Sequence, residues 1–451
     1  MDNRNYRLAF ILPHTQAVLA VEDEEGSEML PVVTVRSNER FVEQLNCIAA
    51  GRWHLETVVL DVNAETLTDL PCVLMEVRSE CPPSFLGDLR PVSADKLSAL
   101  LLSPEERTRL RACFSRDSSC QHPFAKVGWI EDVRNWIQES APNPVIRFTG
   151  EVRQLNAGGG FELCRLGVHN GPAYWLKAVG PPNLHEFPIT QQLAKSLPRY
   201  LPPVVAMRED WKAWVMEEAG HPLEEAFTLS NLKAAVAGLA EMQSESIPHA
   251  QTLGEAGCTD ASVKAIEAHL PVIREYLEEA MAQQTSTKVA PLDRSRLREL
   301  EVILRNACFK MQDLGIPDTL IHNDINAGNI LVSGARCLFI DWAEAQIGNP
   351  FMTLQHVCAQ IARDMSDHDT WLSDIRNSYR GIWRNWLSDS QIDGAYALMP
   401  ILAIVSYLYG RGAWLSSPER NLPRFHLNAR SLARHIDRAA RSEEFEEALC
   451  Q

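Results

Sequence analysis

Hydrophobic and polar positions alternate between strand-like and helical periods to about residue 140, read as three successive strands from 145 to 179, and turn mostly helical beyond Gly220. From the N-terminus, Arg7–Val21 and Leu30–Val35 read as strands around the acidic turn Glu22-Asp-Glu-Glu-Gly26. Phe41–Ala50 reads as a helix ending at Gly51, and Leu55–Val62 is rich in β-formers. Ser103-Pro-Glu-Glu106 marks a helix start, with Ser as N-cap, Pro in the first turn and Glu three residues after the cap. Gly128–Glu139 reads as a short closing helix, and Ser140-Ala-Pro-Asn-Pro144 then sets an expected domain boundary.

Beyond that boundary, 145–154, Phe161–Val168 and Ala173–Val179 read as successive strands joined by Asn156-Ala-Gly-Gly-Gly160 and His169-Asn-Gly-Pro172. Glu186–Leu197 reads as a helix, and Ala213–Met216 as a short apolar segment before Glu217-Glu-Ala-Gly220. Apolar residues at Leu300, Ile303, Leu304, Ala307, Cys308, Met311 and Leu314 recur at helical spacing until Gly315 and Pro317. A hairpin is expected next, with Ile330–Val332 and Cys337–Ile340 around Ser333-Gly334, and the chain from about Phe351 is helical again. A sheet-rich part feeding a helix-rich part predicts an α+β protein of two lobes with a cleft between them, preceded by a mixed α/β region.

Composition changes this picture little. The chain has 451 residues, 43 basic and 59 acidic, for a net charge of −16, which argues against a nucleic-acid binder or an anionic-membrane anchor. Its 11 cysteines form no C-x-x-C pair, which fits reduced thiols in a cytoplasmic protein. The apolar run Leu8–Pro13 is too short for the core of a signal peptide, and no window is expected to approach the ~18–20 apolar residues of a membrane span.

Candidate chemistry concentrates in His322-Asn-Asp-Ile-Asn-Ala-Gly-Asn-Ile-Leu331. As a metal site it is poor, because His322 and Asp324 have only the distant His356 to join them. As a calcium loop starting at Asp324 it places Ala335 where a bidentate Glu is needed. A polar turn is the plain reading of the segment alone. Twelve residues after Asn329, however, Asp341 ends the strand-like run Cys337-Leu-Phe-Ile-Asp-Trp342. A hairpin of that length returns Asp341 toward Asn329. Phosphoryl transfer needs such a grouping: one Asp to accept a hydroxyl proton, then an Asn and a second Asp to hold Mg²⁺ on the phosphates.

A nucleotide clamp is then expected upstream. Lys177 lies in the apolar strand Ala173-Tyr-Trp-Leu-Lys-Ala-Val179, where its charge needs a partner or an anion unless it merely guards a sheet edge. Glu186, nine residues on, opens a helix and is the candidate partner. Gly158, Gly159 and Gly160 would let backbone N–H groups approach phosphates. Met216, Glu217 and Ala219 lie in a connector whose backbone could meet a purine.

With these motifs in order, residues 145–451 resemble the aminoglycoside phosphotransferase and choline kinase family, which has a protein-kinase-like fold. The carrying motifs are His322-Asn-Asp-Ile-Asn-Ala-Gly-Asn329, Phe339-Ile-Asp-Trp342 with Gly348 and Pro350 behind it, Lys177, Glu186 and the connector Met216–Gly220. The resemblance implies a bilobal arrangement, 145–220 as β-rich N-lobe and hinge and 221–451 as helical C-lobe, with ATP and Mg²⁺ as cofactors. It implies Asp324 as catalytic base, Asn329 and Asp341 as Mg²⁺ ligands, Lys177 on the α/β-phosphates, and His322 bracing the catalytic loop. Asn323 stands where the family has Gly, and Trp342 follows the metal Asp where protein kinases have Phe-Gly. The short interval from Asp341 to Pro350 leaves no room for a phosphorylatable activation loop, which favours a small-molecule hydroxyl as acceptor. Glu344 is a candidate acceptor contact, or simply an exposed helix-start residue.

Residues 1–140 lie outside the resemblance. Their strand and helix order is weakly similar to a Nudix-like domain, but no R-E-x-x-E-E-x-G run is present, so pyrophosphatase chemistry is not implied. A capping or homodimerising role is the default expectation for them. The competing readings of the whole are a nucleotide-binding regulator (a pseudokinase) and a protein kinase.

Overall fold

Two compact units divide the chain in the computed structural model: Met1–Phe187 with Pro203–Glu218, and Pro188–Pro202 with Ala219–Gln451. The described residues are 3–37, 39–62, 70–78, 87–100, 102–114, 122–141, 146–364, 368–410 and 418–450. The boundary expected at Ser140–Pro144 falls largely on 142–145, outside the described residues.

The first unit opens with β1 (Asn3–Leu12), β2 (Ala17–Glu22), β3 (Glu28–Met29), β4 (Val32–Arg36), α1 (Phe41–Trp53), β5 (Thr57–Val62), β6 (Cys72–Val77), β7 (Arg90–Ser93), α2 (Pro104–Phe114) and α3 (Trp129–Ser140). These strands make one sheet of order β3-β2-β1-β6-β5, with β4 paired to β1 and β7 to β2. The expected strand Arg7–Val21 is in fact a hairpin, Leu12 facing Ala17, because Pro13 cannot donate to the ladder and the chain turns there. The acidic turn is real: Asp23 accepts from the N–H groups of Glu25 and Ser27. Helix α1 runs past Gly51 to Trp53, whose indole is buried, packs on Phe10 at 5.3 Å and donates to Asp88 at 2.8 Å. Burying that ring, worth about 2 kcal/mol, outweighs the cost of a helical glycine, about 1 kcal/mol. The capping pair at α2 is present, Glu106 N–H on Ser103 Oγ at 3.1 Å and Ser103 N–H on Glu106 at 2.8 Å.

A second, antiparallel sheet follows in the same unit, built from β8 (Phe148–Gly158), β9 (Phe161–Val168), β10 (Tyr174–Ala178), β11 (Val204–Arg208) and β12 (Ala213–Glu217) in the order β11-β12-β10-β9-β8. The helix α4 (Glu186–Ser196) begins in this unit. The segments expected as 1–140 and 145–220 share one core here, with Leu60, Leu74, Trp129 and Val133 packed among Cys164, Leu166, Leu176 and Val215. A buried amide ties the two sheets. Gln154 accepts from Val59 N–H at 2.7 Å, and donates to Val59 C=O at 2.9 Å and to Glu162 at 3.0 Å. The ladder of β5 shifts register just there, between Val59 and Asp61, so Gln154 satisfies backbone groups at an irregular point of the strand.

The second unit contains β13 (His221–Pro222), α5 (Leu229–Ser246), α6 (Ala250–Glu255), β14 (Thr259–Ala261), α7 (Val263–Ala282), α8 (Arg294–Asp313), β15 (Thr319–His322), β16 (Ile330–Ser333), β17 (Arg336–Phe339) and β18 (Ala345–Gly348). Helices α9 (Phe351–Asp364), α10 (His368–Trp383), α11 (Asp389–Tyr409), α12 (Pro423–Ala439) and α13 (Glu443–Cys450) complete it. Its two small sheets, β13-β16-β17 and β14-β18-β15, lie among helices around one apolar core. The membrane expectation needs a correction. Among the described residues α11, with 21 residues, is long and apolar enough to cross a bilayer by length and composition, but 61% of its apolar window is buried inside the protein. Ile392, Leu398, Ile401, Leu402 and Val405 belong to the core, so α11 is its central helix.

Candidate active site

In the second unit the strand β15 delivers the loop His322–Asn329. His322 is buried, and its Nε2 donates to the carbonyl of Ile340 at 2.8 Å while its ring packs on Trp342 at 4.6 Å. This holds the start of the loop against the end of β17, a position suited to bracing. The buried Trp342 thus occupies its unusual place as a packing partner of His322. Ile325 is buried, and its carbonyl accepts from Gln360 of α9 at 2.7 Å.

Asp324 is exposed between these anchors. Asn329 Nδ2 donates to its carbonyl at 2.9 Å and to its carboxylate at 3.3 Å. Asn326, which sequence reasoning leaves without a role, shapes the loop from inside. Its Oδ1 accepts from Gly328 N–H at 2.9 Å and Asn329 N–H at 3.2 Å, and its amide donates to the Asp324 carbonyl at 3.2 Å. An Asn followed two residues later by Gly is the available signal for such a side-chain turn.

The β16–β17 register sets Ile330 opposite Phe339, and Ile340 N–H donates to the Asn329 carbonyl at 3.1 Å. Asp341 therefore leaves the hairpin one residue beyond the point where Asn329 enters it. Its φ of +67° lies in the left-handed region, a conformation that costs an L-residue and gathers at functional sites. Glu344 closes the one-turn helix Trp342–Glu344 behind it and is partly buried.

The donors suit a hard cation. Asn329 turns its amide N–H₂ toward Asp324, which leaves its Oδ1 with no hydrogen bond from the described residues. An amide oxygen and a carboxylate match Mg²⁺, which commonly takes one or two protein ligands and completes its shell with phosphate and water. No group of three or more His, Cys, Asp or Glu side chains able to hold a metal occurs among the described residues.

In the first unit, Lys177 on β10 pairs with Glu186 at 2.5 Å. The carboxylate is 1% exposed, so the short sequence interval is bridged because α4 begins at Glu186 itself. Lys177 Nζ also lies 5.6 Å from the Trp214 ring centre. Gly158, Gly159 and Gly160 form the tip of the β8–β9 hairpin, with φ of +97°, +60° and +89°. A Cβ on Gly180 would meet the Gly159 carbonyl at 2.3 Å, so glycine is needed there for the close approach of two backbones.

At the connector, the expectation of free backbone groups is narrowed. Met216 is held in the ladder opposite Trp175, Glu217 N–H donates to Pro203 C=O at 2.9 Å, and Glu218 N–H donates to Ala173 C=O at 2.8 Å. The Ala219 N–H has no hydrogen-bond partner among the described residues. Glu218 is fixed by a two-pronged Arg165 contact at 2.6 and 2.8 Å and by Trp175 Nε1 at 3.1 Å, a clamp that the sequence does not announce.

Residues 183–387 match the model of the phosphotransferase enzyme family. The match includes Glu186, the connector, the His322–Asn329 loop and Asp341, and begins after Lys177 and the glycine tip. No curated protein sequence matches the chain. Among solved structures, a choline/ethanolamine kinase family protein from Mesorhizobium loti is similar at 15% identity and a TM-score of 0.43, covering 71% of this chain and 98% of its own. A choline kinase from Cryptosporidium parvum is similar at 12% identity and a TM-score of 0.48, covering 71% and 97%. A macrolide 2′-phosphotransferase from Brachybacterium faecium is similar at 16% identity and a TM-score of 0.41, covering 69% and 97%. At such scores these likenesses add no weight to the assignment. The likeness that counts is therefore one of sequence over residues 183–387, which resemble the phosphotransferase enzyme family.

Proposed function

We propose that the chain transfers the γ-phosphoryl group of ATP to a hydroxyl of a small molecule, with Mg²⁺ as cofactor. The observation that carries this reading is the loop of the second unit, where Asp324, Asn329 and Asp341 are set around one hairpin end and held by His322 and Asn326. Asp324 accepts the hydroxyl proton as the acceptor oxygen bonds to the γ-phosphorus and the bridging P–O bond to ADP breaks. The Asn329 and Asn326 amides keep its carboxylate turned for that role. Asn329 and Asp341 would hold Mg²⁺, which would supply positive charge against the charge developing on the phosphates. In the first unit Lys177, oriented by Glu186, offers an ammonium to the α/β-phosphates; Ala219, the first residue of the second unit after the connector, offers its N–H to the base.

The acceptor belongs to the aminoglycoside, amino alcohol or sugar class, and the setting is cytoplasmic. Turnover of ATP with Mg²⁺ across a panel of hydroxylated metabolites tests this. An acceptor that accelerates ADP release and emerges phosphorylated, with loss of that product in Asp324→Asn, supports it. Tight ATP binding without turnover under any acceptor favours the nucleotide-binding regulator instead.

A further inference from the structure

The segment 3–141 precedes the matched residues and carries none of the proposed chemistry, yet within the first unit it reaches the glycine tip. A Cβ on Gly160 would stand 3.0 Å from Nε2 and 3.3 Å from Cδ2 of His122, so the imidazole edge lies directly over that glycine. A Cβ on Gly158 would stand 3.7 Å from the Val62 side chain at the end of β5. The tip also lines a cavity of about 300 Å³ together with His122, Asp61 and Arg109.

His122 is anchored from behind. It precedes the single turn Pro123–Ala125, where Ala125 N–H donates to its carbonyl at 2.9 Å. Its ring stands 5.3 Å from Phe124, a buried residue packed edge-on against Trp129 at 5.4 Å and Trp211 at 5.6 Å. Pro123 and Phe124, the latter held by Trp129 and Trp211, therefore set the backbone from which the exposed imidazole reaches the tip. The imidazole nitrogens have no hydrogen-bond partner among the described residues, so what His122 presents to Gly160 is bulk. Three adjacent glycines with positive φ have no side chains with which to hold themselves. Their conformation has to be set by what packs on them.

We propose that His122 is a positioning residue for the glycine tip: its ring sets the height of the Gly159, Gly160 and Phe161 amides, and through it segment 3–141 tunes nucleotide affinity. The second clause rests on the proposed role of the tip as a phosphate-binding turn.

Two readouts on the full chain test it, amide hydrogen exchange of residues 158–161 without ligand and binding of MgADP by calorimetry. In His122→Ala, exchange at the tip rises about tenfold and the MgADP affinity falls about five- to tenfold, with kcat changed less than about twofold. His122→Phe keeps the bulk and restores both to near wild type. Gly160→Ala clashes with the imidazole and weakens MgADP binding, and adding His122→Ala recovers part of that loss. Unchanged exchange and affinity in a folded His122→Ala overturn the proposal. Failure of His122→Phe to restore affinity when exchange is restored also overturns it, since the imidazole would then be touching the ligand itself. If wild type binds no nucleotide while His122→Ala still loosens the tip, the phosphotransferase reading fails and only the positioning of the tip stands.

Discussion

The glycine tip Gly158–Gly160 and the loop His322–Asn329 solve one problem, holding an irregular turn still, by opposite means. The loop is braced from within: Asn326 caps two of its amides, Asn329 holds Asp324, and His322 is tied to Ile340. The tip has no side chains and is held from without, by His122, Val62 and the backbone at Gly180. Side-chain bracing is local in sequence and survives as a motif. Packing on glycine is written far away, in residues whose spacing to the tip carries no pattern.

The comparison can be broken most forcefully at Asp324. Asp324→Asn keeps the size of the side chain and is expected to lower turnover about 10³-fold, with melting temperature and MgADP affinity unchanged. Paired drops in stability and turnover would show the residue holding the loop rather than acting from it. Next in size is acid sensitivity of the helix that holds the loop. His356 on α9 is buried, and burial lowers its pKa from 6.5 to about 4. The unfolded chain takes up that proton first, so the stability from a neutral His356 is complete above about pH 6.5 and lost as pH falls toward 4, by up to about 3 kcal/mol. Melting curves of His356→Gln across that window should be flatter than those of wild type.

Asn326→Ala removes the internal acceptor for two amides. About tenfold slower turnover is expected, with Asn326→Asp regaining most of it because a carboxylate accepts the same bonds. Equal activity of all three variants would mean the loop is held by His322 and Ile325 alone. The smallest effect belongs to the first unit, where Glu162 is fully buried beside Gln154 and burial raises its pKa well above 4.5. A group raised in this way contributes stability at low pH that is lost as pH rises through the folded-state value. Glu162→Gln should therefore raise the melting temperature at pH 8, by an amount worth about 1 kcal/mol, and do little at pH 5.

Much of the second unit was legible. The hairpin around Gly334, the run from Leu300 to Leu314 and the pairing of Asn329 with the end of the Asp341 strand all follow from period and spacing. Glu186 was legible as the helix start nearest Lys177. The β11 strand was not, because Pro202-Pro203 precedes a run too short to show a period. Nor was the sharing of one core by the segments on either side of residue 140. Its apolar contacts join residues with no spacing pattern, and its polar tie is Gln154 finding the irregular point of β5 more than ninety residues upstream. The burial of α11 was missed for a different reason: Asp389 and Asp393 at its start and Pro400 within it mask an otherwise apolar helix that packs on nearly every side.

Asp341 sets a limit on improving this protein. A left-handed backbone at a residue with a Cβ costs about 1 kcal/mol, and glycine is the replacement that relieves it most fully. Any search for thermostable variants will therefore tend to select Asp341→Gly, a stabler chain that has discarded a carboxylate at the centre of the proposed site. Screens for stability should be run with turnover as a second criterion, because at this residue the two select opposite outcomes.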